Sequence, residues 1–151
     1  MADELVVSQN EKAEIAPANP SEFFTGASVG RIWTSLPMDG SRTSKIKLIN
    51  SIENVKANLR DIPGQVIEVT NIVCHSVVFQ TDNGEEIEGV RTVLIDSNGD
   101  CYATVSDGIR SSLARIFAVV GMPPWEPPVK MAAREVKTRK GFRVMKLELV
   151  E

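Results

Sequence analysis

The chain has 151 residues, 42% of them hydrophobic, with a net charge of −3, two cysteines and one histidine. That length suits one domain plus a tail, and no apolar run nears the ~18–20 residues that span a bilayer. One histidine and two scattered cysteines offer no metal cluster and no His–nucleophile pairing, and GxxxxGK[ST], GxGxxG and HExxH are all missing, so the expectation is a non-catalytic protein with no metal and no cofactor.

Residues 1–25 read as an acidic flexible leader, followed by one domain over 26–151. Met1–Glu22 mixes Ala, Asn, Pro and Ser with five acids against Lys12 alone, a composition that buries too little apolar surface to offset its ordering entropy. Residues 1–42 carry six acids and three bases, so the other 109 residues, with fourteen of each, are neutral as a whole. The leader has no basic stretch followed by an apolar one, so no signal peptide is expected, and Cys74 and Cys101 read as reduced thiols of a cytoplasmic protein.

Phe23, Phe24 and Trp33 are expected to anchor the entry segment, and Gly30–Ser35 to form a short extra N-terminal strand. In Ser44–Asn50, Ile46 and Leu48 alternate with Lys45 and Lys47, which predicts a strand. Ile52, Val55 and Leu59 then predict a short helical turn, closed by Pro63-Gly64. Gln65–Gln80 is one long β-branched run with apolar residues of both parities, which predicts a strand with a bulge that changes its buried face. Asp82-Asn83-Gly84 is a turn, Glu86–Ile95 the next strand, Ser97–Asp100 the next turn, and Cys101–Thr104 a third strand.

After these strands the period changes. Ile109, Leu113, Ile116, Phe117 and Val120 form one face of an amphipathic helix with Ser106 as N-cap and Gly121 as its stop. Trp125 is expected to pack the helix exit onto the sheet. Val129–Thr138 and Phe142–Val150 flank a turn at Lys140-Gly141 and read as a hairpin. From Val129 to Lys146 it carries Lys130, Arg134, Lys137, Arg139, Lys140, Arg143 and Lys146 against Glu135. Such a basic island suits a polyanion, nucleic acid first, although Lys and Arg also guard the edges of sheets. Charge alone leaves both readings open. Parity puts Lys130 and Arg134 on one face and Lys137 and Arg139 on the other, with Met145, Leu147 and Leu149 as core.

Three strands, a helix and two strands is the order of a five-stranded Greek-key OB barrel with its helix between strands three and four. An SH3-like barrel lacks that helix. A ferredoxin-like fold needs a helix where the Asp82-Asn83-Gly84 turn stands. The expected class is therefore all-β with one helix.

From about Lys45 onward the chain resembles the small single-stranded-DNA-binding proteins of protein-primed tailed bacteriophages. The resemblance rests on KIKLINS, PGQVIEVTNI, DSNGDCYATVSDGI entering the helix, and KGFRVMKLELV in the last hairpin, in that order. It implies an OB fold and cooperative, sequence-independent coating and protection of single-stranded DNA in phage or plasmid replication, inside the bacterial host cell. Its implied partners are single-stranded DNA, replication proteins and further copies along the DNA, with no membrane. It also implies a base-stacking aromatic at Tyr102 and, near His75, a second platform where an imidazole now stands. Adding the residues read directly, the candidate interface is Tyr102, His75, Phe79, Arg91, Lys130, Arg134, Lys137, Arg139, Lys140, Phe142 and Arg143. The alternative is an OB-fold protein-interaction module of a replication or recombination complex, because the fold hosts both functions.

Overall fold

In the computed structural model, residues 31–151 are described; the leader, Phe23 and Phe24 lie outside them. In chain order these residues form β1 (Ile32–Thr34), α1 (Arg42–Glu53), β2 (Ala57–Asn58), a 3-10 turn (Leu59–Asp61), β3 (Val66–Gln80), β4 (Glu86–Asp96), β5 (Cys101–Thr104), α2 (Asp107–Val119), β6 (Val129–Lys137) and β7 (Arg143–Val150). The described residues are mostly β, with two helices. One mixed sheet runs β2-β5-β4-β3-β6-β7, with β1 added to β3, and curls round its core as an open half-barrel. Among the described residues no helix is long and apolar enough to cross a membrane.

β3 explains the curl. Its register against β4 shifts between Val69 and Asn71, so one residue is unpaired and the buried parity changes there. Ile67 and Val69 before the shift, and Ile72 and Cys74 after it, then all reach the same inner core. The two-parity pattern of this strand is thus the bulge that the sequence predicts. The other edge of β3 is shared. β6 pairs with Val66–Val69 and β1 with Val73–His75, so β1 covers the edge that β6 leaves.

The inner core joins Trp33, Ile72, Leu94, Ile109, Leu113 and Met131, all essentially inaccessible. α2 seals it, with Ser106 Oγ accepting from Ile109 N as the N-cap. At the helix exit, Phe117 lies 6.0 Å from Trp33 and 5.9 Å from Trp125, and the Trp125 indole donates to the Gly121 carbonyl. Trp125 N also bonds Thr70 O. This is the packing role expected of Trp125. Met145 and Leu147 pack on the core as expected, but Leu149 stays exposed.

Two elements differ from the sequence reading. Residues 42–53 are helix, not strand. Ser41 Oγ accepts from Ser44 N as a cap, Leu48 and Ser51 are buried, and Ile52 packs beside them on the outer sheet face over Val73, Val93 and Ala103. The Ile46/Leu48 alternation that reads as a strand is incidental, because Ile46 and Ile49 both face outward. The helical turn expected to follow is displaced too: the helix ends at Glu53, and the chain continues into β2 and the Leu59–Asp61 turn. Hence the described residues form two helices and seven strands, with residues 42–53 moved from strand to helix and the short β2 added as a strand.

Gly108 is a requirement the sequence does not announce. A Cβ there would sit 2.1 Å from the Met145 carbonyl oxygen, so the first turn of α2 lies directly on the β7 backbone. Leu147 N donates to Ser112 Oγ one turn further on, which fixes the last hairpin to the helix.

Candidate nucleic-acid interface

The hairpin of β6 and β7 is in unbroken register from Lys130↔Val150 to Lys137↔Arg143. Strict alternation therefore decides what each side carries. One side starts as core with Met131 and Ala133 and continues, past the barrel, as Glu135, Lys137 and Arg143. The other side carries Lys130, Arg134 and Lys146. The expected split of Lys130 and Arg134 from Lys137 is what the register gives.

The core-side face of this hairpin opens on a cleft of about 490 Å³. Asn58 and Arg60 enter it from β2 and the 3-10 turn, Arg91 from β4, and residues 103–106 from the end of β5. Glu135 and Met145 form the hairpin wall. Lys137 and Arg143 extend that wall by alternation. Arg143 pairs with Glu135 at 3.0 Å, but both side chains are largely exposed, so the pair is weak and a phosphate can replace the carboxylate.

Arg91 is held from two sides. Its Nη1 donates to the Ile52 carbonyl at 2.9 Å and lies 3.3 Å from His75 Nε2. Ile52 stands in the last turn of α1, where carbonyls lack helical partners, so the guanidinium caps the helix while its remaining edge reaches the cleft. His75 faces Arg91 directly across β3 and β4. Burial, then the Arg91 charge, pushes the imidazole pKa below its ordinary value, which leaves it neutral and an acceptor for Arg91. Its geometry is that of a group positioning Arg91 rather than of an open stacking platform.

The other expected residues divide. Arg139, Lys140 and Phe142 are exposed at the hairpin turn, Phe142 to 67%. Arg134 is exposed on the opposite side and ion-paired with Glu148, and Lys130 lies on that side as well. Phe79 stands in register with Ile87 near the tip of the β3–β4 hairpin. Tyr102 does not meet its expectation. It is 4% exposed inside the inner core, between Leu94 on β4 and Ala57 on β2. At that burial most of its ring is covered, and the part that shows borders a shallow pocket with Lys56, Asp96 and Asp100. The sequence reading missed Asn58 and Arg60, because Lys56–Asp61 shows no run or period and only the pairing of β2 with β5 brings them to the cleft.

A protein-family model described as Phage Single-stranded DNA-binding protein matches residues 34–150. The chain belongs to this family. No curated protein and no solved structure matches it. The match to the phage single-stranded-DNA-binding family takes in every element from the last residue of β1 to the end of β7, so α1, the cleft and the basic hairpin are all inside it. The two thiols lie away from the cleft chemistry: Cys74 is buried and its pKa is pushed up to about 12, and burial raises Cys101 as well.

Proposed function

We propose that this protein binds single-stranded DNA without sequence preference, along the cleft and the adjoining face of the basic hairpin, and protects it during phage replication. The half-barrel is read as an OB-like barrel whose β6–β7 hairpin is the clamp. The observation that carries this reading is the continuity of Arg60 and Arg91 in the cleft with Lys137 and Arg143 on its wall. Arg139 and Lys140 at the turn prolong that basic path. The cleft volume is that of a small-ligand pocket, a scale that fits an unstacked nucleotide rather than a duplex.

Phosphate contacts carry most of the affinity. Among the described side chains Phe142 is the exposed aromatic of this surface, so stacking, worth ~1–3 kcal/mol per base, is assigned there. Four to six phosphate contacts give a slope of roughly −3 to −4 in log K against log salt, at ~0.7 per phosphate on a single strand. A poly-dT titration at several salt concentrations, with duplex DNA and RNA of equal length beside it, tests this. The expected result is steep salt dependence with preference for the DNA single strand; salt-insensitive binding sinks the reading.

A further inference from the structure

Two surfaces lie outside the cleft and are not explained by it. The first is the projecting end of the β3–β4 hairpin. Asp82, Glu85, Glu86 and Glu88 are exposed there, none is in an ion pair among the described residues, and Val78, in register with Glu88, is 57% exposed. Four uncompensated acids oppose the approach of a polyanion. The second is the outward face of α1, where Arg42, Lys45, Ile46 and Ile49 line one shallow groove, with each isoleucine half-exposed. No acid stands in the first turn of α1, and cations there oppose the helix dipole. Helix stability does not explain their placement.

The fold keeps these complementary surfaces apart within one molecule. The C-terminal end of α1 is tied to Arg91. Its N-terminal half, with Thr43 and Ile46, lies by Ile95 and Cys101. The acidic tip lies beyond Ile87, at the other end of β4. Ile87 to Ile95 spans roughly 26 Å at ~3.3 Å per residue. We infer that the two surfaces dock between copies: the acidic arm of one copy seats on the α1 face of the next. Val78 meets Ile46 and Ile49, and the carboxylates meet Arg42 and Lys45. Unlike surfaces that meet in this way give a heterologous contact, which propagates as an open row instead of closing as a dimer. The contact leaves the cleft free, and it does not depend on what the cleft binds.

Sedimentation velocity of the full chain at low salt, over a range of concentrations, tests it. The sedimentation coefficient should rise with concentration and return to the monomer value at high salt. Either E86K/E88K or R42E/K45E should hold the chain at the monomer value. All four positions are exposed, and circular dichroism checks that each variant is folded. An equimolar mixture of the two variants should associate again, because a reversed arm then meets a reversed helix. A wild-type chain that is monomeric throughout, a reversal that leaves association intact, or a mixture that fails to recover overturns the inference. Affinity for a DNA oligonucleotide that holds one copy, measured on the same samples, reads the cleft separately.

Discussion

The molecule carries two hairpin arms of the same construction and opposite charge. The end of β3–β4 has four acids and no lysine or arginine between Ser76 and Val90, whereas Val129–Lys146 has seven cations and one acid. β6 pairs with β3 at Val66–Val69 and then runs past the start of β3, while the β3–β4 turn lies past its end. One strand therefore has unlike arms at its two ends. A net charge of −3 hides this. What a polyanion meets is the local field, and the two ends of β3 present fields of opposite sign.

The most direct way to break the comparison is to reverse the basic arm at the cleft wall. Two unit charges contribute ~1 kcal/mol each at 4 Å in water, so K137E/R143E shifts DNA binding by ~4 kcal/mol before screening. About 100-fold lower affinity should remain at physiological salt. E86K/E88K on the other arm should cause no loss. Fluorescence anisotropy with a short labelled oligonucleotide reads both, and equal losses from the two variants would remove the functional distinction between the arms.

The arms also differ in how they are anchored. The basic one is pinned to α2 by Gly108 against the Met145 backbone and by Ser112; the acidic end is held by its own strand pairing. Gly108→Ala should therefore cost about 1–3 kcal/mol, the usual range for overpacking, and weaken DNA binding through displacement of β7. Val78→Ala, on the exposed acidic arm, should stay within ~0.5 kcal/mol. Urea unfolding of both variants checks the ratio, and a Gly108→Ala chain as stable as the wild type would mean that α2 does not bear on β7.

This contrast also marks what could be read from the sequence. The bulge in β3, the cap and stripe of α2, the register of the basic hairpin and the place of Trp125 follow from local signals, because period, cap and turn chemistry act over a few residues. α1 reads as a strand because Lys45, Ile46, Lys47 and Leu48 alternate over four residues while its buried stripe is only Leu48 and Ser51, with Ile52 partly buried beside them; Ser41 is the signal that favours a helix. The burial of Tyr102 depends on β2, whose two residues have no period to read. Arg60 enters the cleft by the same long-range pairing, and the closeness of Gly108 to Met145 spans 37 positions along the chain. Contacts of that kind are set by how the sheet curls.

The smallest expected effect lies at the root of the acidic arm, where His75 meets Arg91. In the fold the imidazole pKa is below its ordinary 6.5. As pH falls through 6.5 the unfolded chain therefore takes up a proton before the folded one does. Stability from this residue is fully present above pH 6.5, declines as pH falls toward the folded pKa, and levels off below it. The charges facing the ring are Arg91, which opposes protonation, and Glu53, which favours it; ordinary carboxylates titrate mostly below pH 5. The urea midpoint of the wild type should therefore fall between pH 8 and 5.5. His75→Gln, which keeps an acceptor for Arg91 and cannot titrate, should flatten that slope while retaining DNA affinity at pH 8. Identical slopes for the two chains would show that burial and the Arg91 charge do not hold His75 neutral, and the anchoring of this cleft arginine would then rest on the Ile52 carbonyl alone.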